Sequence, residues 1–298
     1  MMDLVVRTPR APKKGETVIG TSFQRFPGGN GANQAVAAAR LGAKVTMAGK
    51  VGQDVFGDQM VATLREEGVC TEHVLRDASS PTGIGSITLD DEGNNRIVVV
   101  PGANLNYNLD DLSTLRPLLA SQDLLMLQLE MNIDTIKMAV EMASRHEVPI
   151  VLNPAPAQKI SDDLLKAITY LTPNETEAKL LTGVPVTDVE SAKRAARVLL
   201  DRGPKSVIIT LGEKGALFAH GDSFIHVPGY SVKPVDTVAA GDAFNGALAA
   251  RVAGGSSLKD AVRYANAVGA LTVTRQGAIP SLPTAKEVEE FRRATEIA

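Results

Sequence analysis

Apolar residues recur along this chain at two different periods. Compact apolar runs occur at QDLLMLQLE (122–130), VPIVLNPAP (148–156), AITYLTPNE (167–175) and KSVIITLGEKG (205–215). Each reads as a buried strand, and the last three run on into polar or glycine-rich loops. NIDTIKMAVEMASRHE (132–147), TEAKLLTG (176–183), ESAKRAARVLLDRG (190–203) and LKDAVRYANAVGALTVTRQG (258–277) place their apolar residues at helical spacing. Gly183 and Gly203 suit the C-caps of two of these helices. Strand alternating with helix predicts an α/β fold, a mostly parallel sheet with helices on both faces.

The first third of the chain has another pattern. GANQAVAAARLG (31–42) predicts an alanine-rich helix closed by Gly42, and KVTMAGKVG (44–52) predicts a strand. GETVIGTSFQRF (15–26) and TGIGSITLDDEGNNRIVVVPG (82–102) predict antiparallel β-structure, the second as a hairpin with DDEGN as its turn. Neither carries a helix of its own, so both are expected to form a small sheet projecting from the α/β body. No internal repeat or low-complexity segment is present, and residues 1–298 read as a single domain.

Composition narrows the partners. Hydrophobic residues make up 44% and charged residues 22%, as in ordinary soluble domains. Tryptophan is absent and aromatics are only 4%, so Ala, Val and Leu must fill the core. A net charge of −3 without a basic run argues against nucleic acid as a partner. One cysteine, Cys70, excludes an intrachain disulfide and suits a reducing compartment. No apolar run approaches the roughly 20 residues of a membrane span. The start MMDLVVRTPRAPKK lacks the pattern of a signal peptide, so a cytoplasmic location is expected, with no membrane partner.

In an open α/β sheet, ligands lie beyond the carboxyl ends of the strands. Polar and glycine-rich clusters fall there: GGNGANQ (28–34), LNPAP (152–156), TPNETEA (172–178), TLGEKG (210–215) and DTVAAGD (236–242). An apolar helix begins directly after the last, with Phe244, Leu248 and Val252 at four-residue spacing. If residues 239–242 open that helix, their N–H groups and the positive end of its dipole form an anion site. Asp242 would repel a bound anion unless it has another task, such as taking a proton from an attacking hydroxyl. The same aspartate also fits a plain N-cap. TPNETEA fits a capped helix start equally well, and Lys214 fits a solvated loop lysine. Other chemistries lack support. The four histidines (His73, His146, His220, His226) show no metal-ligand spacing, and neither a G-x-S-x-G elbow nor a Walker A motif is present. GGNGAN matches only half of a dinucleotide fingerprint.

GGNGANQAVAAARLGA, LNPAPA, TPNETEA, ITLGEKGA and DTVAAGDAFNGALA, in that order, resemble the PfkB carbohydrate kinase family, from about Asp3 to Ser281. The likeness is greatest to the members that phosphorylate ribose. It implies a Rossmann-like α/β body, a β-sheet lid (about 3–27 and 82–104), ATP as donor, Mg²⁺, activation by K⁺, and a homodimer formed through the lids. The implied reaction is phosphorylation of D-ribose at the 5-hydroxyl to give D-ribose 5-phosphate. Kinases of deoxyribose, fructose or nucleosides are the alternatives within the family. A non-catalytic sugar- or nucleotide-binding protein is the alternative outside it.

Carried over by position, Asp242 is the implied base, and Ala239, Ala240 and Gly241 the anion hole. Asn174 and Glu177 lie near the phosphates and Mg²⁺. Thr210, Leu211, Gly212, Glu213, Lys214 and Gly215 form the nucleotide loop, joined by Gly241 and by Asn266 at the adenine. Asp3, Gly29, Asn30, Gly31, Ala32, Asn33 and Glu130, with Asp242, form the sugar pocket. Asp236, Val238, Thr272, Arg275, Gly277 and Ser281 hold the monovalent cation, mostly through backbone carbonyls. The chain departs from the family twice. Asn30 stands where a lysine is usual, which bears on sugar choice. The family also opens with a central strand ending in Gly-Ser, a few residues before the position of Asp3. With Met1 as the first residue, the expectation is either a start upstream of the given one or a body sheet lacking that strand.

Overall fold

The computed structural model describes residues 1–92 and 94–296. Its strands are β1 (Met2–Thr8), β2 (Ser22–Pro27), β3 (Thr46–Gly52), β4 (Cys70–Asp77), β5 (Thr82–Asp90), β6 (Asn95–Gly102), β7 (Leu125–Leu127), β8 (Ile150–Leu152), β9 (Tyr170–Leu171), β10 (Ser206–Thr210), β11 (Ala216–His220) and β12 (Ser223–Val227). The α-helices are α1 (Asn30–Arg40), α2 (Val55–Glu66), α3 (Leu109–Ser113), α4 (Arg116–Leu119), α5 (Ile133–Arg145), α6 (Asp162–Lys166), α7 (Glu175–Thr182), α8 (Val189–Asp201), α9 (Ala240–Ala253), α10 (Leu258–Thr272) and α11 (Ala285–Glu296).

The body is a six-stranded sheet of order β12-β11-β10-β9-β8-β7 between two helical layers. β7 to β10 are parallel, and β11 and β12 add an antiparallel edge. Alternation along β10 shows why both faces are covered. Val207 and Ile209 enter a core shared with α5 and α8, while Ile208 enters a second core shared with α1, α9 and α10. A parallel sheet buried on both faces needs such continuous apolar runs. β3 and β4 form a separate parallel pair, not hydrogen-bonded to the six-stranded sheet. Between β3 and β7 lies a cavity of about 570 Å³.

A second sheet, of order β2-β1-β5-β6, is built from the N-terminal segment and the hairpin. β1 runs antiparallel to β2 and parallel to β5. Several sequence expectations shift here. The strand expected over 15–26 begins only at Ser22, because β1 ends at Thr8 and offers no partner further back. β1 itself, Met2–Thr8, escaped the sequence reading, as did α2, β4, β11 and β12. The hairpin strands close at Asp90 and reopen at Asn95; Gly93, in the expected turn, lies outside the described residues.

In the body, the run 122–130 gives a strand only over Leu125–Leu127, since one of its edges faces the cavity and has no ladder to extend. The helix expected over 258–277 stops at Thr272, and the remainder turns back toward Asp236. Gly183 caps α7 in the left-handed region at φ 76°, as the sequence suggests. At the end of α8 the cap is Arg202, with Gly203 one position beyond at φ 128°. No helix among the described residues is long and apolar enough to cross a membrane.

Candidate active site

Helices α1 and α9 begin side by side and set the centre of the site. They approach closely because Gly246 has no side chain: a Cβ there would sit 2.6 Å from both the Ala37 Cβ and the Gln34 carbonyl oxygen. Asp242 lies in the first turn of α9, and Asn33 and Gln34 in the first turns of α1. The Asn33 amide donates to one Asp242 carboxylate oxygen at 2.8 Å, and Gln34 Nε2 donates to the other at 2.9 Å. The N-cap of α9 is Ala239, in the left-handed region at φ 60°, so Asp242 is not the helix cap. Its carboxylate is committed to α1, not to its own backbone.

Asp242 is buried, and its pKa is raised to about 6. Desolvation is the main cause. The Asn33 and Gln34 bonds oppose it, and the Asp3 and Glu177 carboxylates add to it. A carboxyl with such a pKa is largely ionised at neutral pH yet basic enough to accept a proton. In front of it, Gly241 faces open space, since a Cβ there would meet no atom within 4 Å. Ala240 and Gly241 are the first residues of α9, where N–H groups lack helical partners and the dipole is positive. The Asn245 amide fixes this turn by donating to the Gly241 carbonyl at 2.8 Å, and Asn245 accepts from Thr172 Oγ1 at 2.6 Å.

Asp3 and Glu130 close the other side. β1 places the Asp3 carboxylate between Gly28 and Gly85, where Cβ atoms would fall 2.2 Å and 2.7 Å from its oxygens. Any larger residue at either glycine would displace it. Glu130 follows β7 and accepts from the Asn30 backbone N–H at 3.1 Å. Burial raises the pKa of both acids. The Met1 ammonium, itself desolvated, sits near both and favours their ionised forms. Asn33 Oδ1 is buried and has no hydrogen-bond partner among the described residues. A buried acceptor left open in this way suits a ligand hydroxyl. Gly29, Gly31 and Ala32 supply the backbone around these groups, and Gly29 takes φ 88° just before α1.

Gln34, Gln128 and Asn153 were missed at the sequence level. Gln34 is fully buried; its Oε1 accepts from Gln128 Nε2 at 2.6 Å, and its Nε2 also reaches Asn153 Oδ1 at 3.0 Å. The signal was present in the GANQ and LNPAP segments, but nothing in the sequence shows that they meet.

Farther out, Asn174 and Glu177 form a complete capping box at the start of α7, each side chain accepting from the other's backbone N–H at 2.9 Å. Glu177 is buried with a raised pKa, caused first by desolvation. Thr210 to Gly215 form a tight turn, with Gly212 at φ 56° and Gly215 at φ 89°. Leu211 packs into the core, Glu213 is exposed, and Lys214 Nζ donates to the Thr187 carbonyl at 3.0 Å. Asn266 donates to the carbonyls of Val227 and Pro228 at 3.0 and 3.1 Å, pinning that strand end to α10. Asp236 accepts from the Val238 and Gly277 N–H groups, both at 3.0 Å, and so joins the loop before α9 to the loop after α10. Thr272 and Ser281 are fully buried with hydroxyls bonded to backbone carbonyls, and Arg275 pairs with Glu287 at 2.7 Å. Among the described residues, no group of three or more His, Cys, Asp or Glu side chains could hold a metal alone.

The arrangement is a buried carboxylate at a helix N-terminus, beside a polar pocket of two further carboxylates and an open amide. It can deprotonate a hydroxyl and receive an anion at the same place. Comparison with known proteins identifies the family. The profile of the pfkB family carbohydrate kinases matches residues 1–285. The ribokinase of Haemophilus influenzae is 41% identical, over 97% of this chain and 94% of its own. That of Bacillus subtilis is 42% identical, over 97% and 96%. An Arabidopsis thaliana ribokinase structure, complexed with ribose and ATP, superposes with a TM-score of 0.89 at 32% identity, over 97% and 95%. By profile, by near full-length likeness and by fold, the chain belongs to the pfkB family of carbohydrate kinases.

Proposed function

We propose that this sugar kinase transfers the terminal phosphoryl group of ATP to the 5-hydroxyl of D-ribose, giving D-ribose 5-phosphate and ADP. The observation that carries this reading is Asp242, a buried carboxylate with a pKa of about 6, held by two amides at the open N-terminus of α9. In the reaction its oxygen accepts the hydroxyl proton as the new O–P bond forms and the bond to the ADP oxygen breaks. The first N–H groups of α9 stabilise the charge on the transferring group. Asp3, Glu130 and the unpartnered Asn33 oxygen take the other hydroxyls, as carboxylates and amides suit a polyol. The ribokinase relatives, and the ribose and ATP bound in the Arabidopsis protein, support the choice of sugar and donor.

Two ions belong to this reading. Asn174 and Glu177 would hold Mg²⁺ together with water and phosphate. That donor set of one carboxylate and one amide suits an ion that keeps much of its hydration. An ion held there would neutralise phosphate charge. The Asp236 loop, with Val238, Gly277 and the carbonyls of Thr272, Arg275 and Ser281, would hold K⁺ and so order the approach to α9. The protein works in the cytoplasm as a homodimer joined through the four-stranded sheet. That sheet leaves Ile97 and Val98 on its edge strand β6 more than half exposed, an apolar edge suited to a second copy, with Phe23 exposed on the opposite edge strand β2.

The test is turnover by the purified protein with ATP, Mg²⁺ and a panel of ribose, deoxyribose, fructose and nucleosides, with and without K⁺. Ribose is expected to be the best acceptor, at a rate raised by K⁺. Inert ribose beside another active acceptor removes ribose and keeps the kinase. Tight binding with no transfer to any acceptor removes the catalytic reading.

A further inference from the structure

The tight turn from Thr210 to Gly215 has one open side and one closed side. A Cβ on Gly212 would meet no atom within 4 Å. A Cβ on Gly215 would lie 2.2 Å from the Val227 carbonyl oxygen, and one on Gly229 would lie 2.3 Å from the Glu213 carbonyl oxygen. The turn and the segment leaving β12 therefore touch backbone to backbone, with no room for a side chain at either glycine.

His226 closes that contact. Ile225 and Val227 of β12 pack into the core shared with α1, α9 and α10. Strand alternation turns the residue between them to the opposite face. There His226 Nε2 lies 2.7 Å from the Lys214 carbonyl oxygen. A carbonyl only accepts, so Nε2 carries the hydrogen and donates. Among the described residues, no other side chain bonds to the backbone of 210–215. Lys214 also spends its ammonium inside the protein, on the Thr187 carbonyl at 3.0 Å. The residues after His226 are held in turn by α10, through the two bonds from Asn266 to the Val227 and Pro228 carbonyls.

We propose that His226 is a positioning residue for the donor nucleotide: it does not touch ATP, and its bond to the Lys214 carbonyl sets the shape of the turn that receives ATP. The proposal rests on the reading that residues 210–215 take the nucleotide. Groups that bind a ligand must be held to within about 0.5 Å, and groups on a loop need supporting bonds to reach that. Gly212 and Gly215, at φ 56° and 89°, bring no side chains of their own to stiffen the turn. The closed side supplies the stiffness. A strut runs from α10 through Asn266 to the end of β12, and from there through His226 to Lys214. The open side at Gly212 is left for the ligand.

Three variants test this against the parent. His226→Phe keeps a ring and removes the donor. His226→Gln restores a donor at similar reach. Gly212→Asn fills the open side with a residue that tolerates left-handed backbone. The readouts are the Kd of ADP by titration calorimetry, and KM for ATP and for ribose; the ADP measurement does not depend on which sugar is accepted. His226→Phe should weaken ADP binding and raise KM for ATP about fivefold, the size of one lost hydrogen bond, with KM for ribose changed less than about twofold. His226→Gln should stay within about twofold of the parent in all three. ADP binding as in the parent by His226→Phe, an equal rise in both KM values, or a Gln form no better than the Phe form overturns the proposal. Weaker ADP binding by Gly212→Asn with none by His226→Phe keeps the nucleotide on this turn and overturns the role of His226. Parent-like ADP binding by Gly212→Asn removes the nucleotide from the turn, and His226 with it.

Discussion

The side chain of Asn33 faces Asp242 with its nitrogen, 2.8 Å from the carboxylate, and leaves its oxygen buried without a partner among the described residues. One amide thus fixes a carboxylate oxygen of Asp242 and, if Asp242 is the base proposed above, keeps an acceptor free for the hydroxyl to be deprotonated. Proximity of this kind is the main asset of a phosphoryl-transfer site, where little covalent chemistry is left to the protein.

Replacing Asp242 by Asn keeps the shape but removes the proton acceptor. Turnover should fall by about 10²–10⁴-fold. The melting temperature above pH 7 should not fall below the parent's, because a desolvated charge has gone. Steady-state kinetics and a melting curve check both. Turnover within a few-fold of the parent, at equal stability, removes Asp242 as the base.

The pKa of Asp242 gives opposite pH dependences for activity and for its own share of stability. Its folded value of about 6 lies above the ordinary 3.8. Between these values the folded state binds a proton that the unfolded chain releases. The contribution of this group to stability is full below the lower value and is lost as pH rises through the upper one. Activity needs the ionised form, so kcat/KM should rise with pH through about 6 and then level. A profile of kcat/KM that is flat from pH 5 to 8 would contradict this assignment.

Gln34 bonds Asp242 and spends its remaining polar groups on Asn153 and Gln128, so in the proposed reaction it would be a positioning residue. Gln34→Met removes one hydrogen bond that favours ionised Asp242. The acid limb of the pH profile should move upward, and kcat at pH 7 should fall about tenfold. Raising the pH should recover most of the loss. A loss equal at every pH would mark a purely structural role.

Gly85→Ala tests the seat of Asp3. The added methyl would lie 2.7 Å from Asp3 Oδ1, and Gly85 does not occupy the left-handed region, so crowding is the main effect. KM for the sugar should rise about tenfold or more, with KM for ATP nearly unchanged. Equal changes in both would point to a general loss of order.

Val98 is 65% exposed on the edge strand β6. Val98→Lys should convert a dimer to a monomer in sedimentation velocity with little change in melting temperature. A monomeric parent protein removes the lid interface.

The α/β alternation of the body was legible because its strands are buried on both faces and its helices are amphipathic. VIIT in β10 and the MAVEMA segment of α5 carry the two periods plainly. β1 was not legible: a short run ending in RTPR declares neither its partners nor its sheet. Edge strands such as β12 depend on pairing that local sequence does not encode. At the site, single residues in turns stood out, whereas contacts across distance did not. Gln34 and Asp242 lie 208 positions apart, and no local pattern links them. The capping box at Asn174 and Glu177 is the reverse case, since a local motif announced a local structure.

Asp3 and Asp242 belong to different pieces of the molecule, one to the four-stranded sheet and the other to a helix of the body. In the proposed reading, a sugar that touches both acts as the tie between them. Any tilt of the outer sheet changes the span across which that tie must reach. Loading the acceptor and shutting water out are then one event, and ATP alone meets a half-assembled vise with nothing gripped in its jaws.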